Sequence, residues 1–174
     1  LTRMSEATRL EQTVRANERE TFDAKKVVAG CVEGYGAAYP ARRFALTLPD
    51  APLLLSGAPD LYAQMLDKLA ANAVDFATAD PIEVSLARDG AAAVLLFTNT
   101  GPLLPAEMKE RLFESMVSVR RERAPHEPHL GLGLYIVRQI AEFHGGSVTA
   151  SDRADGGGVT FELRFPLANQ AYQA

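Results

Sequence analysis

The chain has 174 residues, 47% of them hydrophobic and 23% charged, with a net charge of -4 at pH 7. This length and composition favour one globular domain with at most a small appendage. The mild acidity argues against nucleic acid as a main partner, and no apolar run approaches the roughly 20 residues that cross a bilayer. The single cysteine, Cys31, excludes an internal disulfide and is predicted to fill a buried position.

Residues 1 to about 20 have the pattern of a charged amphipathic helix. Apolar residues recur at spacings of three and four from Leu1 to Val14, with arginine and glutamate between them. Such a narrow apolar stripe needs a partner surface, which is either the main domain or the other helix of a coiled coil. We favour a coiled coil that is interrupted at residue 1, and therefore expect a piece of a longer protein.

The residues that follow alternate between helix and strand patterns. Asp23 is predicted to follow a break at Thr21-Phe22 and to cap a helix that ends before Pro40. Further helices are predicted for 59–77, 105–113 and 131–144, and strands for 44–48, 53–55, 82–87, 92–98, 147–150 and 159–165. This order predicts an α/β (α+β) two-layer sandwich, in which one mixed, mostly antiparallel sheet is covered on a single face by about three helices.

Two glycines stand at the start of the last predicted helix, in the sequence Gly131-Leu132-Gly133-Leu134. Glycine lets backbone N–H groups approach a ligand closely, and the N-terminal end of a helix favours anions such as phosphate. Ordinary turn or cap chemistry explains a glycine pair equally well. At the other end of this helix, His144 is predicted to act as a C-terminal cap before Gly145-Gly146.

Two asparagines are candidate ligand-binding residues. A helical wheel of residues 60–77 places Asn72 at the edge of the apolar arc, where its amide oxygen is suited to bind Mg²⁺. Asn99 ends a buried strand, where its amide group is suited to read a base edge. The alternatives are an interfacial asparagine at 72 and a simple turn at Asn99-Thr100-Gly101-Pro102.

The stretch from Glu114 to Leu130 has no periodicity and carries Arg120, Arg121 and Arg123. A long aperiodic loop with arginines, next to a glycine-rich helix start, predicts a mobile lid over phosphates. His126 and His129 in this stretch are expected to face solvent rather than to bind a metal, because no third ligand is close in sequence.

Four segments, in this order, resemble the N, G1, F and G2 boxes of sensor histidine kinases: 65–76, 99–105, 111–114 and 131–137. Sensor histidine kinases belong to the GHKL ATPases of the Bergerat fold, a group that includes gyrase, Hsp90 and MutL. Residues 115–119 with 128–131 further resemble the kinase of a proteobacterial dedicated sortase system.

The resemblance implies that ATP binds through Mg²⁺ between the helices and the lid. The γ-phosphate would pass to a histidine on a dimerising helical hairpin, and then to the receiver domain of a response regulator. Residues 1–20 would be the end of that hairpin, 21–168 the catalytic domain and 169–174 a tail. The implied location is the cytoplasmic part of a bacterial inner-membrane sensor. None of the three histidines lies in a pattern like the acceptor helix, so this chain is expected to bind ATP without phosphorylating itself.

The resemblance also implies roles for individual residues. Asn72, which would bind the metal, Lys68 and Arg120 take the catalytic positions. Nucleotide contacts fall on Asn72, Asp75, Phe76, Asn99, Gly101, Leu104, Arg120, Arg121, Gly131, Leu132, Gly133 and Leu134.

The chain departs from the pattern of these kinases at four positions. Asn99 occupies the position of an aspartate in these kinases, and Leu103 that of a glycine. Lys68 replaces an asparagine or acidic residue, and Asp75 replaces a lysine. Two alternative functions follow: a degenerate nucleotide-binding or purely signalling module, and a serine kinase of the anti-sigma-factor type, against which the N-terminal helical stripe argues.

Overall fold

The computed structural model describes residues 18–109, 111–114 and 130–168. In chain order the elements are β1 (Glu20–Asp23), α1 (Ala24–Ala38), β2 (Phe44–Thr47), β3 (Leu54–Gly57), α2 (Pro59–Phe76), β4 (Ile82–Asp89), β5 (Ala92–Thr100), α3 (Ala106–Lys109), α4 (Leu130–Phe143), β6 (Ser147–Asp152) and β7 (Gly158–Pro166). Within these ranges, no helix combines the length and the apolar character needed to cross a membrane.

The main sheet has five strands in the order β2-β4-β5-β7-β6. β2 pairs with β4 in parallel, and the other neighbours are antiparallel. The predicted mixed, mostly antiparallel sheet is therefore confirmed. β1 and β3 form a separate antiparallel pair. The break predicted before α1 is part of a strand that was not predicted, since Thr21 and Phe22 belong to β1 and pair with Ser56 and Leu55 of β3.

One face of the sheet packs against the helices. Alternate residues of the central strands point to this face and are almost fully buried: Val84, Leu86, Leu95, Phe97, Phe161 and Leu163. The buried residues of α2 form the apolar arc expected of an amphipathic helix on a core: Leu61, Tyr62, Met65, Leu66, Leu69, Ala70 and Ala73. The apolar faces of the strands and of α2 thus pack together in one core. Cys31 is half-buried and packs against this core, and burial raises the pKa of its thiol.

Asp23 caps α1, as predicted. Its Oδ1 accepts hydrogen bonds from the backbone N–H of Lys25 at 3.0 Å and of Leu53 at 3.1 Å. The second bond also fixes the residue that precedes β3. The predicted helix of residues 1 to about 20 falls mostly on residues 1–17, which lie outside the described residues. At its predicted end, Glu20 belongs to β1 and not to a helix.

The end of α4 is fixed by a buried histidine. His144 is 3% exposed; its Nδ1 donates to the carbonyl oxygen of Ile140 at 2.8 Å, and its Nε2 accepts from the N–H of Ala58 at 3.1 Å. Burial lowers the pKa of the imidazole. Gly145 follows in the left-handed conformation with φ +72° and ends the helix, as predicted. His144 does more than cap α4, because its ring also connects α4 to the start of α2.

Candidate functional site

The end of β5 lies directly against the end of α2. Gly101, the residue after β5, has a φ of +150°, and a Cβ atom built there would lie 2.5 Å from the carbonyl oxygen of Phe76. Side chains rarely adopt this backbone conformation, and the space is already filled. Glycine at 101 therefore permits the close approach that brings Asn99 and Gly101 beside the helix that carries Asn72 and Phe76.

Hydrogen bonds hold these two segments together. The Oγ1 atom of Thr100 accepts from the N–H of Ala79 and donates to its carbonyl oxygen, each at 3.0 Å. The carbonyl oxygen of Thr100 accepts from the N–H of Thr78 at 3.2 Å. The loop that follows α2 is thus bonded to the last residue of β5. The sequence pattern indicates only a turn at Thr100.

Asn99 is 3% exposed, and its Nδ2 donates to the carbonyl oxygen of Thr100 at 2.9 Å. Because a carbonyl oxygen requires a donor, this contact sets which end of the amide is the nitrogen. The acceptor end of the amide is then available to a donor on a ligand. The predicted position of Asn99 at the end of a buried strand is correct.

Asn72 is 7% exposed, and its Oδ1 is buried without a hydrogen-bond partner among the described residues. A buried amide oxygen that lacks a partner costs free energy, so native structures seldom keep one without a reason. A hard oxygen of this kind is a suitable ligand for Mg²⁺. Asn72 is therefore suited to bind a cation that arrives with a ligand. The alternative, an ordinary asparagine at the edge of the core, explains its buried Oδ1 less well.

Two charged residues lie one helical turn on either side of Asn72. Lys68 is half-exposed and Asp75 is exposed. Positions 68, 72 and 75 share one face of α2, because side chains three and four residues apart are neighbours on a helix. Both charges can therefore act on an anion bound near Asn72, the lysine by attraction and the aspartate by repulsion unless a cation offsets it.

The glycine pair lies in α4, as predicted for the helix of 131–144. The described part of this helix runs from Leu130 to Phe143, so Gly131 and Gly133 lie at its N-terminal end. The first four backbone N–H groups of a helix lack intrahelical partners. Leu134 is 5% exposed and belongs to the hydrophobic core, so its side chain packs inward. Leu104 is half-buried and packs against the same core.

The segment that leads toward residue 115 is anchored to the sheet. Leu112 and Phe113 are buried, and the ring of Phe113 meets that of Phe161 edge to face, with centroids 6.1 Å apart. The Nζ atom of Lys109 lies 2.7 Å from a carboxylate oxygen of Asp152. The helix predicted for 105–113 is shorter than expected, since α3 ends at Lys109.

Several predicted site residues cannot be placed. Residues 115–129 lie outside the described residues, and they include Arg120, Arg121, Arg123, His126 and His129. The lid and the resemblance of this stretch to a sortase-system kinase therefore stay predictions. Gly131 and Leu132 lie in α4, but their side-chain environment is outside the described part of the chain.

Comparisons with known proteins agree on one family. The family model described as "Histidine kinase-, DNA gyrase B-, and HSP90-like ATPase" matches residues 57–169. The sensor protein CutS of Streptomyces coelicolor is 31% identical over 152 residues, which are 86% of this chain and 36% of CutS. The sensor histidine kinase TrcS of Mycobacterium tuberculosis is 31% identical over 159 residues, 88% of this chain and 31% of TrcS. The chain thus spans about a third of the length of these relatives.

Solved structures share the fold. The mycobacterial sensor histidine kinase MprB superposes with a TM-score of 0.72 at 23% identity, covering 88% of this chain and 100% of that one. The ATP-binding domain of PrrB from Mycobacterium tuberculosis gives a TM-score of 0.71 at 22% identity, with 88% and 100% coverage.

Proposed function

The chain belongs to the family of histidine kinase-, DNA gyrase B- and HSP90-like ATPases, and from that premise we propose that the residues around Asn72, Asn99 and Gly101 bind ATP together with Mg²⁺. The family was predicted from the order of four short segments, and that prediction is confirmed. The proposal extends it to the site residues and the metal ion.

One observation carries the proposal: the buried Oδ1 of Asn72 has no partner among the described residues. A polar atom that is costly in the unliganded fold gains a partner when a cation binds. When bound, Mg²⁺ would neutralise part of the charge of the phosphate groups. The remaining ligands of the ion would be phosphate oxygens and water, which Mg²⁺ commonly retains.

We assign the adenine to the end of β5. The acceptor end of the Asn99 amide would take a hydrogen bond from the exocyclic amino group of adenine, and Phe76 would contact the ring. Because asparagine is neutral, this bond lacks the charge-assisted strength that an aspartate supplies. Gly101 would allow the base to lie close to the backbone.

We assign the phosphates to the first turn of α4. The N-terminal end of a helix offers free N–H groups and the positive end of the helix dipole, and both favour an anion. Lys68 would add a positive charge from α2, and Arg120 and Arg121 would add charge from the predicted lid. In this arrangement the protein positions ATP and offsets charge, as phosphoryl transfer requires.

For the whole protein, we propose a two-component sensor histidine kinase. The γ-phosphate would pass to a histidine on a helical hairpin that forms the homodimer and ends before β1, and then to a response-regulator receiver domain. The location would be the cytoplasmic side of a bacterial inner membrane. CutS and TrcS, which support this proposal by their similarity, are a sensor protein and a sensor histidine kinase.

Calorimetric titration with ATP, with and without Mg²⁺, tests the binding proposal. The wild-type chain is expected to bind in a Mg²⁺-dependent manner and Asn72→Ala to lose this dependence. Gln64→Ala is the matched control, because Gln64 is exposed on the same helix. Unchanged Mg²⁺-dependent affinity in Asn72→Ala would remove Asn72 from the site. A wild-type chain with neither heat nor thermal shift would favour the degenerate module.

Labelled ATP then tests transfer. Mixed with a separate histidine-bearing hairpin from a related kinase, the chain is expected to give an acid-labile label, which is typical of phosphohistidine. An acid-stable label on a serine would instead support the serine-kinase alternative.

A further inference from the structure

We propose that Thr100 is a positioning residue for the nucleotide site, because its hydroxyl group holds the loop after α2 against the end of β5. The inference rests on the proposed function, since it concerns the same site. Thr100 would hold the end of α2 and the end of β5, which form the two halves of that site, in a fixed relative position.

Thr100 makes its contacts through two groups. The hydroxyl group bonds both to the N–H and to the carbonyl oxygen of Ala79, each at 3.0 Å. The carbonyl oxygen accepts from Thr78 N–H at 3.2 Å and from the Nδ2 of Asn99 at 2.9 Å. A single residue therefore fixes the loop and also orients the amide of Asn99.

The loop that Thr100 holds directly follows the end of α2. Ala77 caps the C-terminal end of α2, because its N–H donates to the carbonyl oxygen of Ala73 at 2.8 Å, and Ala79 follows two residues later. At the end of β5, Gly101 lies directly against the carbonyl oxygen of Phe76. The hydroxyl of Thr100 thus acts where the half with Asn72 and Phe76 meets the half with Asn99 and Gly101.

Thr100→Val isolates the hydroxyl. Valine keeps the branched shape that suits a strand and removes both bonds to Ala79, while the backbone bond to Thr78 remains. Ala79 is exposed, so water can satisfy its N–H and carbonyl groups and the variant is expected to fold. Thr100→Ser restores the hydroxyl.

Thr98 offers a matched control on the same face of the same strand. Its Oγ1 lies 3.1 Å from the Oγ1 of Thr160 on β7, so Thr98→Val also removes a hydroxyl bond. That bond joins two sheet strands and does not involve the loop after α2. Any loss of affinity that is merely due to a weaker sheet should therefore appear in Thr98→Val as well.

The experiment measures the Kd for ATP with Mg²⁺ by calorimetry, together with the Tm, for the wild type and the three variants. Thr100→Val is expected to raise the Kd about tenfold, in proportion to the hydrogen bonds lost. Thr100→Ser and Thr98→Val are expected to stay within about twofold of the wild type.

Wild-type affinity in Thr100→Val, or an equal loss in Thr98→Val, would overturn the positioning role and leave the proposed function intact. A failure of Thr100→Ser to recover affinity would overturn it as well. A wild-type chain that binds no ATP would reject the proposed function, and the role of Thr100 with it.

Discussion

The Nε2 of His144 accepts a hydrogen bond from the backbone N–H of Ala58 at 3.1 Å, and this bond joins the end of α4 to the start of α2. The same two helices carry the glycine pair and Asn72. Because Nδ1 donates to Ile140, the neutral ring satisfies both partners, whereas a protonated ring would direct an N–H at the N–H of Ala58.

This geometry predicts that stability falls on mild acidification. Burial is the main cause that lowers the pKa of His144 below its ordinary 6.5, and the nearby Arg19 lowers it further. The unfolded chain then binds a proton more readily than the folded chain as the pH falls through 6.5, so the free energy of unfolding decreases from there down to the folded-state pKa. Urea unfolding between pH 7.5 and 5 measures this. His144→Gln should have a lower free energy of unfolding and a flatter pH dependence, and an equally steep dependence would contradict the assignment.

Gly57→Ala is expected to destabilise the fold. An added Cβ would collide with the Cδ2 and Nε2 atoms of the His144 ring. The ring cannot give way easily, because two hydrogen bonds hold it. Overpacking of this kind typically costs about 1–3 kcal/mol. The control is Gly30→Ala on α1, where nothing lies within 4 Å and alanine should stabilise the helix. Chemical denaturation measures the free energy of unfolding of both variants. If Gly57→Ala is as stable as Gly30→Ala, the predicted collision does not occur.

Asn72→Ala is expected to separate binding from stability. The buried Oδ1 has no partner among the described residues, so its removal should leave the free energy of unfolding within about 1 kcal/mol of the wild type, or raise it. Mg²⁺-dependent ATP binding should be lost at the same time. Parallel denaturation and calorimetry test this, and a loss of more than about 2 kcal/mol would mean that the amide has a structural partner.

Gly101→Ala is expected to lower both stability and ATP affinity. The residue has a φ of +150°, and its Cβ would lie 2.5 Å from the Phe76 carbonyl oxygen. Gly90→Ala is the matched control: Gly90 also has a positive φ, +60°, but nothing lies within 4 Å. It should cost about 1–2 kcal/mol for the backbone conformation and leave ATP binding unchanged. If Gly101→Ala retains full affinity, the close approach of β5 to α2 is not needed for binding.

The sequence predicted those features of the fold that depend on local periodicity. The apolar stripe of α2 and the alternation in β4, β5 and β7 each report which side of an element is buried, and the structure agrees with both. Asp23 as a cap and Gly145 as a helix end follow from the conformational preferences of single residues. The order of the short segments was enough to identify the family.

The tertiary structure alone decided which distant residues meet, because such contacts depend on how the elements pack. Ala58 and His144 are 86 residues apart and Ala79 and Thr100 are 21 apart, and no local pattern encodes either bond. The pairing of β1 with β3 has the same origin, since a strand of four residues is too short for a clear period. The burial of the Asn72 Oδ1, without a hydrogen-bond partner among the described residues, is also a tertiary property. The sequence predicted a side chain at the edge of the core, and the packing around α2 determines which groups lie within reach of it.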